Sequence, residues 1–222
     1  MKQSETLKFN KNILRIPVMA ILLIWVVYII EIQFKLNLNS YGIYPQKLSG
    51  LKGILFSPFI HSDAKHLFNN SIPLFVLLAA LMHFYEKISF KVLIMGLLLK
   101  GFLTWSFGRP AYHIGASGIV YLLVSFIFFS GIMRRYYRLV ALSLAIVFLY
   151  GGMIWYIFPV EERISWEGHL SGFLVGSLFA YLFRKRGPQK KKFQYSENKE
   201  FESMFDEDGN FIGNRPEADN AE

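Results

Sequence analysis

Residues 114–133 read IGASGIVYLLVSFIFFSGIM, an unbroken stretch without a charged side chain. A helix of about 20 apolar residues is long enough to cross the hydrocarbon core of a bilayer. The stretch therefore predicts a transmembrane helix. Its first positions differ from the rest, because Ser117 stands there among small residues, in the sequence Gly115-Ala116-Ser117-Gly118.

The composition of the whole chain also indicates a membrane protein. Hydrophobic residues make up 53% of the 222 residues, and charged residues only 18%. This is too apolar for an ordinary soluble domain and far from the composition of disordered chains. The apolar residues suffice for about six spans of ~20 residues each. Cysteine is absent, which excludes a disulfide framework, thiolate metal ligands and a cysteine nucleophile.

The apolar runs that predict these six spans cover residues 16–30, 67–85, 88–107, 114–133, 139–160 and 168–183. Two of them, 114–133 and 139–160, are long and free of charge. The run 88–107 contains Lys100, which has to reach the interface or face a cavity or a partner. The first run follows a basic segment, as a signal peptide does, but no small-residue cleavage site follows it. We therefore interpret it as a retained span.

The distribution of lysine and arginine predicts the orientation of the spans. Six spans place both termini on one side, which we assign to the cytoplasmic side of a bacterial inner membrane. Seventeen of the 24 lysine and arginine residues then lie inside, in agreement with the positive-inside rule. The net charge of +8 is thus explained without a nucleic-acid partner. We expect a cytoplasmic segment at 1–15, a membrane domain at 16–184 and a disordered cytoplasmic tail at 185–222.

The loop between the first two runs, residues 31–65, is expected to be structured. It contains scattered apolar side chains, among them Ile43, Leu51 and Phe59, and is punctuated by glycine and proline. A loop this long and this apolar is unfavourable in free solution. We therefore expect it to pack on the helices or to enter the membrane interface.

Polar residues gather at one end of the predicted bundle. His66 and Asn70 stand at the start of the second run, Ser117 at the start of the fourth and His169 at the start of the sixth. Counting the spans places all of them at the outer end and at a similar depth. Polar groups are costly inside a bilayer, so such residues indicate a functional site.

The chemistry of these residue types suits acyl transfer. A neutral histidine can take the proton of a serine hydroxyl and so activate it as a nucleophile. Asparagine and histidine side chains, and a free N–H at a helix start, can stabilise the oxyanion that forms. Gly115 and Gly118 allow a close approach of backbone and substrate. Gly172 lies on the same helical face as His169, where a small residue allows close packing on a neighbouring helix.

These motifs resemble those of the rhomboid intramembrane serine proteases. Gly115-Ala116-Ser117-Gly118 looks like the G-x-S-G of that family, and residues 169–176, HLSGFLVG, resemble its H-x-x-G-x-x-x-G. His61, His66 and Asn70 resemble its H-x-x-x-x-H-x-x-x-N, and the stretch 42–61 is similar to the first loop of many bacterial members. G-x-S-G alone is a weak signal, but three motifs in the right order on the right spans are specific.

The resemblance implies an all-α membrane protein with a six-transmembrane-helix rhomboid-like bundle and a structured first loop. Such a protein hydrolyses peptide bonds of transmembrane substrate proteins near the outer face of the membrane. It implies Ser117 as nucleophile and His169 as general base, without an acidic third residue. Asn70, His66 and the backbone N–H of Ser117 are implied as the oxyanion hole.

The resemblance also implies supporting roles. The ring of Tyr121 is expected to stack on the catalytic histidine, and an ordinary core aromatic is the alternative. His61 is expected at a structural position, and Gly115, Gly118 and Gly172 are expected to support the site. The family needs no metal or cofactor, and its partners are the lipid bilayer and transmembrane substrates. The sequence does not fix the oligomeric state.

Departures from the family and several alternatives stand beside this interpretation. Gln46 replaces an arginine that many relatives have, and Lys100 is unusual within a span. Asn69 competes with Asn70 as oxyanion donor, but only Asn70 is four residues from His66 and so shares its helical face. His83 and His113 are interpreted as interfacial, or as bonded to a backbone carbonyl.

Two other function classes compete with an active protease. One is a catalytically inactive relative that binds membrane segments without cutting them. The presence of both Ser117 and His169 argues against it. The other is a transporter or a metal-dependent membrane enzyme. The chain has no H-E-x-x-H and no cysteine, and acids are scarce within the spans, which argues against a metal site.

Overall fold

The computed structural model describes residues 12–149, 151–187 and 199–213. Within these ranges it is mostly helical and contains no β-strand. The α-helices are α1 (Asn12–Gln33), α2 (Gly53–Phe56), α3 (Ala64–Phe84), α4 (Ser89–Phe107), α5 (Ser117–Met133), α6 (Tyr137–Leu149), α7 (Trp166–Leu182) and α8 (Lys199–Glu202). Short 3-10 segments are Leu38–Tyr41, Leu48–Gly50, Ser57–Phe59 and Gly151–Ile157. The prediction of a helical protein with several apolar helices is confirmed.

The chain forms two compact units, Met1–Lys190 and Lys191–Glu222. In the second unit, the described residues 199–213 contain α8 and a turn closed by a bridge between Phe205 and Phe211. The carboxylate of Asp206 accepts hydrogen bonds from the N–H groups of Asp208 and Asn210. The remainder of the predicted tail, and most of the predicted segment 1–15, lie outside the described residues.

In the described part of the chain, three helices are long and apolar enough to cross a membrane: α1, α3 and α4. The helices α5 and α6 are apolar but shorter, with 17 and 13 residues. At a rise of 1.5 Å per residue, α5 is roughly 26 Å long and α6 roughly 20 Å. The count of six spans therefore stays a prediction.

The predicted run 139–160 is not one continuous helix in the described residues. Helix α6 is described to Leu149. Residue 150 lies outside the described residues, and a 3-10 segment covers Gly151–Ile157. Gly151 and Gly152 open this segment. Glycine is a weak helix former because it loses more backbone freedom than other residues. Hydropathy registers the apolar character of this stretch but not the change in helix type.

We call the first unit, Met1–Lys190, the membrane unit. Helix α5 lies at its centre and contacts α3, α4, α6 and α7. Its closest neighbour is α7, and Gly172 is a point of direct backbone contact. A Cβ atom built on Gly172 would lie 2.1 Å from the carbonyl oxygen of Gly118, so any larger residue would push the two helices apart. This contact fixes the distance between the helices that bear Ser117 and His169.

The outer surface of the helices is apolar. Leu22 and Ile29 on α1 and Ile94 and Phe102 on α4 are all more than half exposed. The interior is filled by buried side chains such as Phe126, at the centre of the hydrophobic core. An exposed apolar surface of this extent is unfavourable in water and favourable in lipid. The protein is an integral membrane protein.

The loop between α1 and α3 packs against the chain segment that precedes α5. Ile43 is fully buried and exchanges two backbone hydrogen bonds with His113, with N···O distances of 3.0 and 2.8 Å. The N–H of Gln46 donates to the carbonyl of Trp105 at 3.0 Å, and the indole N–H of Trp105 donates to the carbonyl of Lys47 at 2.8 Å. Gln46 therefore anchors this loop through its backbone.

Candidate active site

Ser117 and His169 meet at one end of α5 and α7. Ser117 is the first residue of α5, and His169 lies in the first turn of α7. The Nε2 atom of His169 is 2.8 Å from the Oγ atom of Ser117. The imidazole is 6% exposed. The two residues are 52 positions apart in the chain, and the close packing of α5 on α7 brings them within hydrogen-bond distance.

The second nitrogen of His169 fixes the tautomer of the ring. Its Nδ1 atom is 2.9 Å from the carbonyl oxygen of Tyr156. A carbonyl can only accept, so Nδ1 is the nitrogen that bears the hydrogen, and Nε2 has the free lone pair. Nε2 can therefore accept the hydroxyl proton of Ser117. Tyr156 was not a sequence candidate, because a backbone carbonyl leaves no signal in residue identity.

Tyr121 lies parallel to the imidazole of His169. The ring centroids are 4.2 Å apart, and the planes are inclined by 14°. Tyr121 is one helical turn after Ser117, so its side chain projects from the same face of α5. The Tyr121 ring packs on one face of the imidazole, and the carbonyl oxygen of Tyr156 contacts its Nδ1 atom.

His66 and Asn70 converge on Gly115, two residues before Ser117. A Cβ atom built on Gly115 would lie 2.8 Å from Nε2 of His66 and 3.6 Å from Nδ2 of Asn70. Gly115 has a φ of +99°, a conformation that favours glycine. Asn70 is buried, and its Nδ2 has no hydrogen-bond partner in the described part of the chain. Asn69 is exposed.

The start of α3 holds His66 in place. The carboxylate of Asp63 caps the helix and accepts the N–H of His66 at 2.8 Å. The hydroxyl of Ser62 is 2.7 Å from the same carboxylate and 3.2 Å from Nδ1 of His66. These hydrogen bonds lower the pKa of Asp63, so its carboxylate stays ionised.

His61 lies behind these residues as part of the scaffold. Its ring contacts the ring of His66 edge-on, with centroids 5.0 Å apart, and its Nε2 is 3.5 Å from the N–H of Ala116. The side chain is 2% exposed, and burial lowers the pKa of His61 to about 4. A neutral, buried histidine at this position links the end of the first loop to the segment that precedes Ser117.

A buried carboxylate, Glu167, connects the segment before Ser117 to the start of α7. Its Oε1 accepts the N–H of Arg109 at 3.1 Å and lies 3.8 Å from the Nε atom of Arg109. The guanidinium of Arg109 also donates to the carbonyls of Glu162 and Ile164, at 2.6 and 2.7 Å. Glu167 is 1% exposed and stands two residues before His169.

His113 completes this set of contacts, which we call the charge clamp (Arg109, His113, Ser165 and Glu167). Its Nδ1 lies 2.5 Å from Oγ of Ser165 and 3.8 Å from Oε2 of Glu167. Burial lowers the pKa of His113. Its Nε2 is 3.1 Å from the carbonyl oxygen of Arg109. This contact agrees with the interpretation of His113 as bonded to a backbone carbonyl. Nothing in the sequence indicated that Arg109 and Glu167 would meet.

Lys100 of α4 reaches the same region from the other side. Together with Ser117 and Gly118 it lines a small cavity, whose other polar lining residues include Thr104, His113 and Ser165. Lys100 is 3% exposed. The sequence left three alternatives for Lys100: the interface, a cavity or a partner. In the structure it faces a cavity. Among the described residues, no group of three or more His, Asp or Glu side chains is arranged to hold a metal ion.

The chain is similar to known proteins over most of its membrane unit. A family model described as the rhomboid domain matches residues 49–186, a range that contains Ser117, His169, His66 and Asn70. An uncharacterized protein of Mycobacterium tuberculosis and one of Mycobacterium bovis are each 34% identical over 181 residues, which is 74% of this chain and 72% of theirs. An uncharacterized protein of Mycobacterium leprae is 33% identical over 184 residues, with 76% and 70% covered.

Proposed function

This chain belongs to the rhomboid family, and from that premise we propose that it is an intramembrane serine endopeptidase. Its substrates are transmembrane proteins, which it cleaves near the outer face of the membrane. The observation that supports this most is the 2.8 Å contact between His169 Nε2 and Ser117 Oγ, together with the contact of Nδ1 to Tyr156. In this arrangement His169 has the tautomer and the position of a general base.

The acylation step uses the groups around Ser117. His169 Nε2 takes the hydroxyl proton while Oγ attacks the carbonyl carbon of the scissile peptide. The oxyanion is stabilised by Asn70 Nδ2–H, by His66 in the form that carries a hydrogen on Nε2, and by the N–H of Ser117, which has no intrahelical acceptor at the start of α5. His169 then gives its proton to the leaving amine nitrogen, the C–N bond breaks, and the acyl group remains on Ser117 as an ester.

Deacylation repeats the sequence with water. His169 takes a proton from a water molecule, whose oxygen attacks the ester carbon. The bond to Oγ breaks, Ser117 recovers its proton from His169, and the product leaves as a carboxylic acid. The dyad has no acidic third member, so orientation falls to the Tyr156 carbonyl and the Tyr121 ring. The ring face also stabilises the imidazolium that forms during each step.

The charge clamp positions the two halves of the dyad. Two of its residues, Arg109 and His113, lie in the segment before Ser117. The other two, Ser165 and Glu167, lie just before α7 and in its first turn, close to His169. A buried charge that loses its partner is strongly destabilising, typically by about 3–5 kcal/mol. We therefore assign Glu167 and Arg109 as positioning residues.

Replacing Glu167 by glutamine is expected to lower kcat about tenfold with little change in KM. Glutamine keeps an acceptor for the N–H of Arg109 but removes the charge that holds the guanidinium. The expected loss of unfolding free energy is about 1–3 kcal/mol. The measurements are steady-state cleavage and thermal unfolding in detergent. Glu162→Gln is the matched control, because Arg109 contacts only the backbone of Glu162. An E167Q protein with wild-type kcat and stability would contradict the positioning role.

We further propose six spans with both termini in the cytoplasm of a bacterial cell, with the domain division at residues 15 and 184. Five basic side chains support this orientation. They line one cleft at one end of the membrane unit. Lys87 lies between α3 and α4, Lys91 lies in the first turn of α4, and Arg184, Lys185 and Arg186 follow α7. A concentration of cations at one end is the signature of the cytoplasmic side.

The absence of cysteine makes this topology directly measurable. In spheroplasts, a membrane-impermeant maleimide is expected to label a Lys52→Cys protein but neither Lys87→Cys nor Lys185→Cys. Opening the membranes should make the latter two reactive, and the unchanged protein should stay unlabelled throughout. Labelling of the cysteines at positions 87 and 185 in intact spheroplasts would contradict the proposed orientation and indicate the opposite one.

The activity itself is tested with purified full-length protein and a labelled single-span substrate. Cleavage is expected to be blocked by a serine-directed isocoumarin and to be unaffected by a chelator. Inhibition by the chelator instead would favour a metal-dependent enzyme. Binding of the substrate without cleavage would identify the chain as an inactive rhomboid-like module that binds membrane proteins.

A further inference from the structure

A cleft at one end of the membrane unit is lined mostly by cations. Its volume is about 600 Å³, within the range of roughly 300–1,000 Å³ that is usual for small-molecule sites. Among the described residues, no acidic side chain lines it. It lies at the end of α7 opposite to His169, so it is separate from the candidate active site. We call it the cationic cleft, after its charged lining residues: Lys87, Lys91, Arg184, Lys185 and Arg186.

The five cations come from two segments that are distant in the chain. Lys87 and Lys91 lie at the start of α4, and residues 184–186 follow α7. The segments meet, because the Nζ atom of Lys91 lies 5.8 Å from the centroid of the Phe183 ring. Converging like charges repel each other, and in the part of the chain that the structure describes no carboxylate forms an ion pair with Lys87, Lys91 or Arg186. The positive-inside rule explains cations on one side of a membrane, but not their convergence on one cleft.

A buried arginine holds one wall of the cleft in place. The guanidinium of Arg134, just after α5, donates to the backbone carbonyls of Phe183 and Arg186. It also lies over the ring of Tyr85, 5.3 Å from the centroid, and the Tyr85 hydroxyl donates to Ser130 at 2.7 Å. Arg134 is 4% exposed and does not line the cleft. The segment that carries three of the five cations is therefore preorganised by contacts to the ends of α3 and α5, which lowers the cost of binding a ligand.

The cleft is continuous with an apolar surface, which a lipid would contact and a free anion would not. Apolar side chains complete its lining: Ile88, Leu182 and Phe183. Exposed apolar side chains also follow one face of α4 from Lys91 and one face of α7 from Leu182, at the spacing of helical turns: Ile94, Leu98, Leu178 and Leu174. Because α4 packs against α7, both rows run from the cleft toward the middle of the membrane.

We propose that the cationic cleft binds the headgroup of an anionic phospholipid, whose acyl chains lie along the exposed rows of α4 and α7. Lysine and arginine only donate hydrogen bonds, and phosphate oxygens only accept them. A zwitterionic phospholipid offers the same phosphate, but its ammonium group is repelled by the surrounding cations. Basic pockets between transmembrane helices on the cytoplasmic side suit anionic headgroups. The inference does not require Ser117 to be a nucleophile, because it concerns the opposite end of the membrane unit.

The test measures lipid binding to the purified full-length protein in detergent by native mass spectrometry. The probes are dioleoylphosphatidylglycerol, which is anionic, and dioleoylphosphatidylcholine, which is zwitterionic. The wild-type protein is expected to bind phosphatidylglycerol at least about tenfold more tightly. Lys91→Gln, Arg186→Gln removes one cation from each segment and should weaken phosphatidylglycerol binding about tenfold or more. Both side chains are exposed, so the fold is expected to persist, and thermal unfolding without lipid verifies this.

Arg135→Gln, Arg138→Gln is the matched control, because it also removes two exposed cations, and neither lines the cleft. It should bind phosphatidylglycerol as the wild-type protein does. Equal losses in the two double variants, or equal wild-type affinities for the two lipids, would overturn the inference. A large excess of inorganic phosphate should not displace the lipid, and displacement would assign the cleft to a free anion instead. No substrate is present in this test, so its failure would leave the proposed protease activity untouched.

Discussion

Replacing Ser117 by alanine is expected to reduce cleavage of a transmembrane substrate by about 10⁴-fold or more. The variant keeps the fold, because alanine fits the first position of α5 and loses only the contact to His169 Nε2. It has no oxygen to attack the peptide carbonyl. His169→Ala should cause a loss of the same order, because the serine hydroxyl is then without a base.

The losses from the two dyad variants are expected to be non-additive. A Ser117→Ala, His169→Ala protein should be no slower than either single variant. The two residues act as one unit, so removing either one already abolishes their joint contribution. Ser177→Ala is the matched serine control: its hydroxyl donates to the Phe173 carbonyl within α7. His83→Ala, at the far end of α3, is the histidine control. Cleavage that survives in both dyad variants would disprove the assignment.

Replacing Asn70 by alanine is expected to lower kcat by about 10²–10³-fold with a small change in KM, as for other lost oxyanion donors. The Nδ2 atom of Asn70 is buried, without a hydrogen-bond partner in the described residues, and is directed toward the segment before Ser117. A donor held free in this way is available to the oxyanion that forms in the transition state. Steady-state kinetics on the single-span substrate measure the loss.

Asn69→Ala is the control for this prediction, because Asn69 is the adjacent asparagine and is exposed. It should retain kcat within about twofold, as is usual for surface substitutions. Equal losses in the two variants would indicate a general effect on α3. A large loss in Asn69→Ala with none in Asn70→Ala would exchange the two roles. Wild-type kcat in Asn70→Ala would exclude it from the oxyanion hole.

The local motifs of the sequence were sufficient to find the residues that meet at the site. Ser117 stands at the start of an apolar helix and His169 at the start of another, and their glycines signal close packing. The distance between them follows from that packing, because Gly172 lies directly against Gly118. Periodicity and small-residue spacing are local properties, and here they define the helix pair that brings the dyad together.

The contacts between distant segments could not be predicted from the sequence. Tyr156 acts through its carbonyl, which every residue has. Arg109 and Glu167 are 58 positions apart, and each alone resembles an ordinary charge at a span end. The 3-10 segment over Gly151–Ile157 was not predicted, because hydropathy averages over Gly151 and Gly152. In each case the deciding interaction depends on tertiary structure and not on local composition.

The central claim is that His169 activates Ser117, and covalent labelling by a fluorophosphonate tests it most directly. Peptide mapping after labelling is expected to place a single adduct on Ser117 in the folded wild-type protein. Heat-denatured protein should give none, and His169→Ala should be labelled at least about 10²-fold more slowly, because the hydroxyl loses its general base. An adduct on another residue, or labelling of Ser117 at the same rate in His169→Ala, would contradict the account.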